Sequence, residues 1–106
     1  MSRVTNLIVA FSTLEDEAKV IDRMRDYNDG KFIIVSVIDE KLPSDWYGGT
    51  KRLECSLLIG AYNYLDLEGF LLFLRSEINW EAIDLVQLFV KEQDNMKFKL
   101  INLIDE

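Results

Sequence analysis

The residue types best suited to chemistry lie close together in one stretch: Trp46, Tyr47, Gly48, Gly49, Lys51 and Arg52. Successive backbone N–H groups in a glycine turn can cradle an anion, and a neighbouring lysine and arginine add positive charge. An adjacent Trp-Tyr pair can stack on the ring of a ligand. The stretch therefore points to a small-ligand or anion sensor. It departs from the phosphate-binding pattern G-x-x-x-x-G-K-[ST] between strand and helix. Only Gly49 stands near a lysine, and the loop leads into a strand. A flexible turn with Trp46 and Tyr47 as buried anchors accounts for the same residues.

Two other groups could react. Cys55 follows Lys51 and Arg52, and positive neighbours lower a thiol pKa. No base accompanies it, and a buried free cysteine is the ordinary outcome. Glu15, Asp16 and Glu17 form a carboxylate cluster at the expected start of a helix, where negative charge complements the helix dipole. Capping explains them more simply than metal binding. The chain has no histidine. That removes the usual general base near neutral pH, the commonest metal ligand and every Ser/His or Cys/His pair. No metal or cofactor is expected, and an enzyme would have to work with carboxylates or Cys55.

Composition narrows the partners. Nineteen acidic against twelve basic residues give a net charge of −7, whereas nucleic-acid binders present a basic face. No nucleic-acid role is expected. Apolar runs such as 32–38 and 70–74 are far shorter than the ~20 residues of a membrane span, and the first residues have no separate apolar region of a signal peptide. One cysteine permits no internal disulfide, which fits a reducing, cytoplasmic setting. The 106 residues are read as a single domain, 1–106.

The elements that must position these groups are set out twice. The stretch from Val4 to Asp39 recurs without a gap 51 residues later, from Cys55 to Val90. Ile8-Val9-Ala10-Phe11 overlies Ile59-Gly60-Ala61-Tyr62, and Leu14-Glu15 overlies Leu65-Asp66. Residues 4–11 read as a strand with apolar residues on both faces. Ser12 or Thr13 offers an N-cap, Ser12 with Glu15 at the spacing of a capping box, and Leu14, Ala18, Ile21, Met24 and Tyr27 form one helical stripe. A second strand is expected over 32–38 and a third over 55–62. Asp66 is expected to cap a helix reaching about Ile78, with Leu67, Phe70, Leu71, Leu74 and Ile78 inward and Leu72 and Phe73 widening its apolar surface. A fourth strand over 82–91, a turn at Asp94-Asn95 and a fifth strand over 96–104 complete the chain.

This order is an α+β arrangement. It resembles the ferredoxin-like split βαβ sandwich (βαββαβ) with an extra C-terminal strand, both helices on one face of an antiparallel sheet. Strands 1 and 3 would be central, with strands 4 and 2 outside them and strand 5 beside strand 4. A small parallel α/β sheet is the alternative. The resemblance stops at the fold. The chain lacks the glycine-rich loop of acylphosphatase-like enzymes, the aromatic pattern of RNA-recognition motifs and the C-x-x-C of metal chaperones.

In such a fold one sheet face has no helices, yet the central strands are apolar on both sides. Ser36 and its repeat-mate Gln87 point to the outer face. Large exposed apolar patches are rare on soluble monomers. A cover is therefore expected: the 39–53 loop, a second copy of the chain, or another protein. The expectation for function is a non-catalytic, acidic protein-binding or regulatory module, adaptor-like or inhibitor-like, self-associating as a homodimer through the sheet face. The alternatives are the sensor using the 39–53 loop and an enzyme without histidine.

Overall fold

The computed structural model describes residues 3–27, 32–37 and 55–104. Strand β1 (Val4–Ser12) leads to helix α1 (Glu17–Met24) and the short strand β2 (Val35–Ser36). Strand β3 (Cys55–Asn63) is followed by helix α2 (Leu67–Ser76), a single 3₁₀ turn (Ile83–Leu85), strand β4 (Gln87–Glu92) and strand β5 (Lys99–Asn102). The five strands form one sheet in the order β2-β3-β1-β4-β5. Every pairing is antiparallel, which disposes of the parallel α/β alternative. The class is mixed α+β, with a five-stranded antiparallel sheet and two helices.

Alternation decides the faces. Thr5, Leu7, Val9 and Phe11 of β1 are buried, while Asn6, Ile8, Ala10 and Ser12 are half-buried. Leu58 of β3 and Leu88 and Val90 of β4 lie on the side of the buried β1 residues. Val20 and Met24 of α1 join the same buried cluster as Phe70 and Leu74 of α2. Both helices therefore share one side of the sheet, and about 1.5–3 kcal/mol accompanies each large side chain fully buried there. Trp80 closes one end, its ring 5.4 Å from Phe11 and its Nε1 donating to the Leu74 carbonyl at 2.8 Å. Arg75 Nε donates to the Leu103 carbonyl at 2.8 Å, tying the end of β5 to α2.

Several elements differ from the sequence expectation. Helix α1 begins one turn later than the Ser12–Glu15 spacing indicates. Asp16 is its N-cap, accepting from Lys19 N at 3.3 Å. The Glu15 carboxylate turns away from Ser12 and accepts from the backbone N–H groups of Glu81 and Ala82 at 2.9 and 2.8 Å. A long-range pair of charge-assisted bonds thus outweighs the local capping box. Leu14 and Ala18 are consequently exposed, and Val20 replaces them as the inward residue with Met24.

The second copy keeps its anticipated cap, Asp66, which accepts from Gly69 N at 3.2 Å. Its strand-to-helix connection is one residue shorter than the first, 64–66 against 13–16. The tighter turn is made with Tyr64 at φ 56°, the left-handed region that side chains other than glycine enter at a cost of about 1–2 kcal/mol. The edge strands are also shorter than expected, and the repeat loses phase there. Ile34 and Val86 are buried, whereas Val35 and Leu85 are exposed. Ser36 pairs with buried Leu58 and so faces the helices, while Gln87 pairs with Ala10 and faces away from them. Only Gln87 is on the outer face; Ser36 is not. The turn after β4 closes through Asn95 N to Glu92 O at 2.9 Å, centred one residue before Asp94-Asn95.

Candidate functional site

On the helix-free face the strand register creates a feature that no single strand displays. Val35 lies opposite Ile59, Ile59 opposite Ile8, Ile8 opposite Phe89, and Phe89 opposite Leu100. These five side chains form one continuous apolar row running straight across all five strands. With strands about 4.8 Å apart, the row spans roughly 19 Å. Val35 is 48% exposed, Ile59 41% and Leu100 52%, while Ile8 and Phe89 are half-buried. Directly opposed β-branched and aromatic pairs stabilise a sheet by about 0.2–1 kcal/mol each. That effect accounts for the residue types but leaves much of their surface in water.

The rows on either side are mixed. One carries Ala61, Asn6 and Lys91, where Asn6 Nδ2 donates to the Lys91 carbonyl at 3.2 Å. The other carries Leu57, Ala10, Gln87 and Asn102, where Gln87 Nε2 donates to Asn102 Oδ1 at 3.4 Å. Among the described strand residues of this face Lys91 is the one charged side chain. Two shallow depressions flank the row. One of about 400 Å³ lies beside Ser12, Cys55, Leu57 and Phe89, the other, about 360 Å³, beside Ile33, Val35 and Ile59. Cys55 is half-buried at the start of β3, opposite Ser12. Among the described residues no basic side chain lines the first depression beside it.

A deeper cleft of about 500 Å³ opens where the end of α1, the end of β3 and the start of α2 meet. Its walls include Tyr27, Phe32, Tyr62 and Tyr64, with Asp66 as the one charged residue among the described ones. Phe32 and Tyr62 stack with centroids 4.2 Å apart at 17°, and Tyr27 meets Phe32 edge-on at 5.5 Å and 89°. The Tyr27 hydroxyl donates to the Asp66 carbonyl at 3.3 Å, and the Tyr62 hydroxyl donates to the Ile33 carbonyl. Burial raises the pKa of Tyr62, and burial followed by the nearby Asp66 carboxylate raises that of Tyr27. Both rings stay neutral at physiological pH. Gly60 makes room for the Tyr62 ring, because a Cβ there would lie 2.6 Å from Tyr62 Cζ.

Of the sequence-derived site residues, Trp46, Tyr47, Gly48, Gly49, Lys51 and Arg52 lie outside the described residues, as does the 39–53 loop as a possible cover. The Glu15-Asp16-Glu17 cluster is structural in its first two members, a buried acceptor and a helix cap. No group of metal-ligating side chains occurs among the described residues. Nor is any helix there long and apolar enough to cross a membrane. Sequence reasoning did not isolate the aromatic cleft. The signal that could have found it is Tyr62 and Tyr64 directly before the capping Asp66. No protein-family model, curated protein or solved structure matches this chain.

Proposed function

We propose that this chain is a non-catalytic protein-binding module that self-associates through the helix-free face of its sheet, in a regulatory, adaptor-like or inhibitor-like role. The observation that carries the reading is the exposed row Val35–Ile59–Ile8–Phe89–Leu100. Charge favours a second copy over a basic partner. The chain has a net charge of −7, yet among the described residues no carboxylate lies on the strands of this face. A basic partner is selected by an acidic rim, and among the described strand residues the polar groups of this face are amides and Lys91. Two copies related by a two-fold axis would bring largely uncharged surface onto largely uncharged surface, while the net negative charge of the chain limits further association.

The same reading takes the strand order as the ferredoxin-like split βαβ arrangement extended by β5. Its support is the interleaving of the two halves, with β1 and β3 adjacent at the centre. The single cysteine favours a cytoplasmic setting. Packed sheets lie about 10 Å apart and interdigitate their side chains. A face of five strands by about five residues offers roughly 400 Å² per copy in plan, below the ~600 Å² per partner of the smaller stable interfaces. The dimer is therefore expected to be reversible, with a dissociation constant of about 10 μM or weaker. Sedimentation velocity over a concentration series tests this. The expected result is a shift from monomer to dimer that Ile59→Lys abolishes while leaving the circular dichroism unchanged. A wild-type chain that stays monomeric through hundreds of micromolar would sink the proposal.

A further inference from the structure

We propose that the cleft walled by Tyr27, Phe32, Tyr62 and Tyr64 binds a small quaternary or methylated ammonium ion, with Asp66 as its counter-charge. The cleft volume of about 500 Å³ falls within the range of small-molecule sites, about 300–1,000 Å³. Its walls decide the ligand class. Phe32 is buried and stacked on Tyr62, so the tyrosines are the rings that can meet a ligand, and an aromatic face is negative and attracts a cation within about 6 Å of its centroid. Asp66 adds a negative charge, and among the described residues no lysine or arginine lines the cleft. The start of α2 carries about half a positive charge from its dipole. Asp66 more than offsets it, and its Oδ1 already takes the Gly69 N–H that an anion would need.

Tyr64 supplies a second, independent observation. A bulky residue at φ 56° is strained. Its side chain is 65% exposed and lines the cleft. Strained backbone concentrates at ligand clamps and active sites. An alkylammonium group also suits an acidic chain, whose summed charge concentrates cations near its surface.

Choline is the test probe, with its uncharged isostere 3,3-dimethylbutan-1-ol and inorganic phosphate as controls, each followed by amide chemical shifts. Choline is expected to shift the resonances of 61–66, with the isostere at least about fivefold weaker, as a cation–π contribution of this size requires. Asp66→Asn keeps the helix cap, since Asn and Asp cap equally well, and is expected to weaken choline about tenfold. Tyr64→Gly removes the ring without straining the turn and is expected to weaken it by a similar factor. Equal binding of choline and its isostere, preferential binding of phosphate, or choline shifts unaffected by both substitutions would overturn the proposal. So would the absence of any shift at 50 mM choline, about the weakest binding a site this size would show. Neither substitution touches the apolar row, so this test and the sedimentation test fail independently.

Discussion

Replacing Tyr64 by glycine and, separately, by alanine isolates the strain in the shortened connection between β3 and α2. Both substitutions remove the ring, and whatever contacts the exposed side chain makes are lost equally. The variants then differ only in how each residue tolerates φ 56°. Alanine retains a Cβ and with it the left-handed penalty of about 1–2 kcal/mol. Glycine escapes that penalty but loses about 0.5–1 kcal/mol more backbone entropy on folding. The net difference is about 0.5–1 kcal/mol in favour of glycine. At an ordinary extended or helical position the sign is reversed, and alanine is the more stable by about the same amount. Urea unfolding of the two variants, with equal m-values, reads the difference directly. For a domain of this size it corresponds to a Tm gap of about 2–8 °C. An alanine variant as stable as the glycine variant, or more so, would show that Tyr64 is not strained, and would remove one support of the ammonium site.

Other consequences follow from particular contacts. Glu15→Ala strands the backbone N–H groups of Glu81 and Ala82 and is expected to cost about 2–4 kcal/mol by denaturant unfolding, far more than the loss of a surface carboxylate. Leu74→Ala opens the core beneath α2 and should cost about 2–5 kcal/mol, whereas Leu72→Ala, at a side chain 64% exposed, should cost under about 1 kcal/mol. A cost at Leu72 matching that at Leu74 would mean that α2 is rotated on the sheet. The raised pKa values of Tyr27 and Tyr62 mean that the folded state holds protons the unfolded chain has released. Their contribution is therefore complete below pH 10 and declines as pH rises beyond it. Tyr62→Phe should flatten that alkaline loss of stability, and an unchanged alkaline limb would contradict the assignment.

Much of the fold was legible because its signals are local. The strand–helix order, the Asp66 cap and the inward set Phe70, Leu74 and Ile78 depend on residues a few positions apart. What failed depended on distant partners. Ser12 and Glu15 match a capping box, but the backbone of 81–82 claims the Glu15 carboxylate. The repeat tracks β1 and β3 face for face, since Leu7 and its mate Leu58 are both buried. It slips at the helices, where Asp16 and Asp66 are the equivalent caps although the repeat overlies Asp66 on Glu15. It slips again at the edge strands, where the 3₁₀ turn before β4 puts Val86 rather than Leu85 inside. Two apolar faces on the central strands were readable as an excess. The row across all five strands was not, because it is a property of four pairing registers, none of which the sequence states.

The central claim is that copies of this chain meet through that row. Mixing isotope-labelled with unlabelled protein and recording only intermolecular nuclear Overhauser effects addresses it residue by residue. The account predicts cross-peaks from the methyl groups of Ile8, Ile59, Val35 and Leu100 and from the Phe89 ring of one copy to the same set in the other. Intermolecular cross-peaks confined to Leu72 and Phe73 of α2, or none at a concentration where the protein sediments as a dimer, would contradict it.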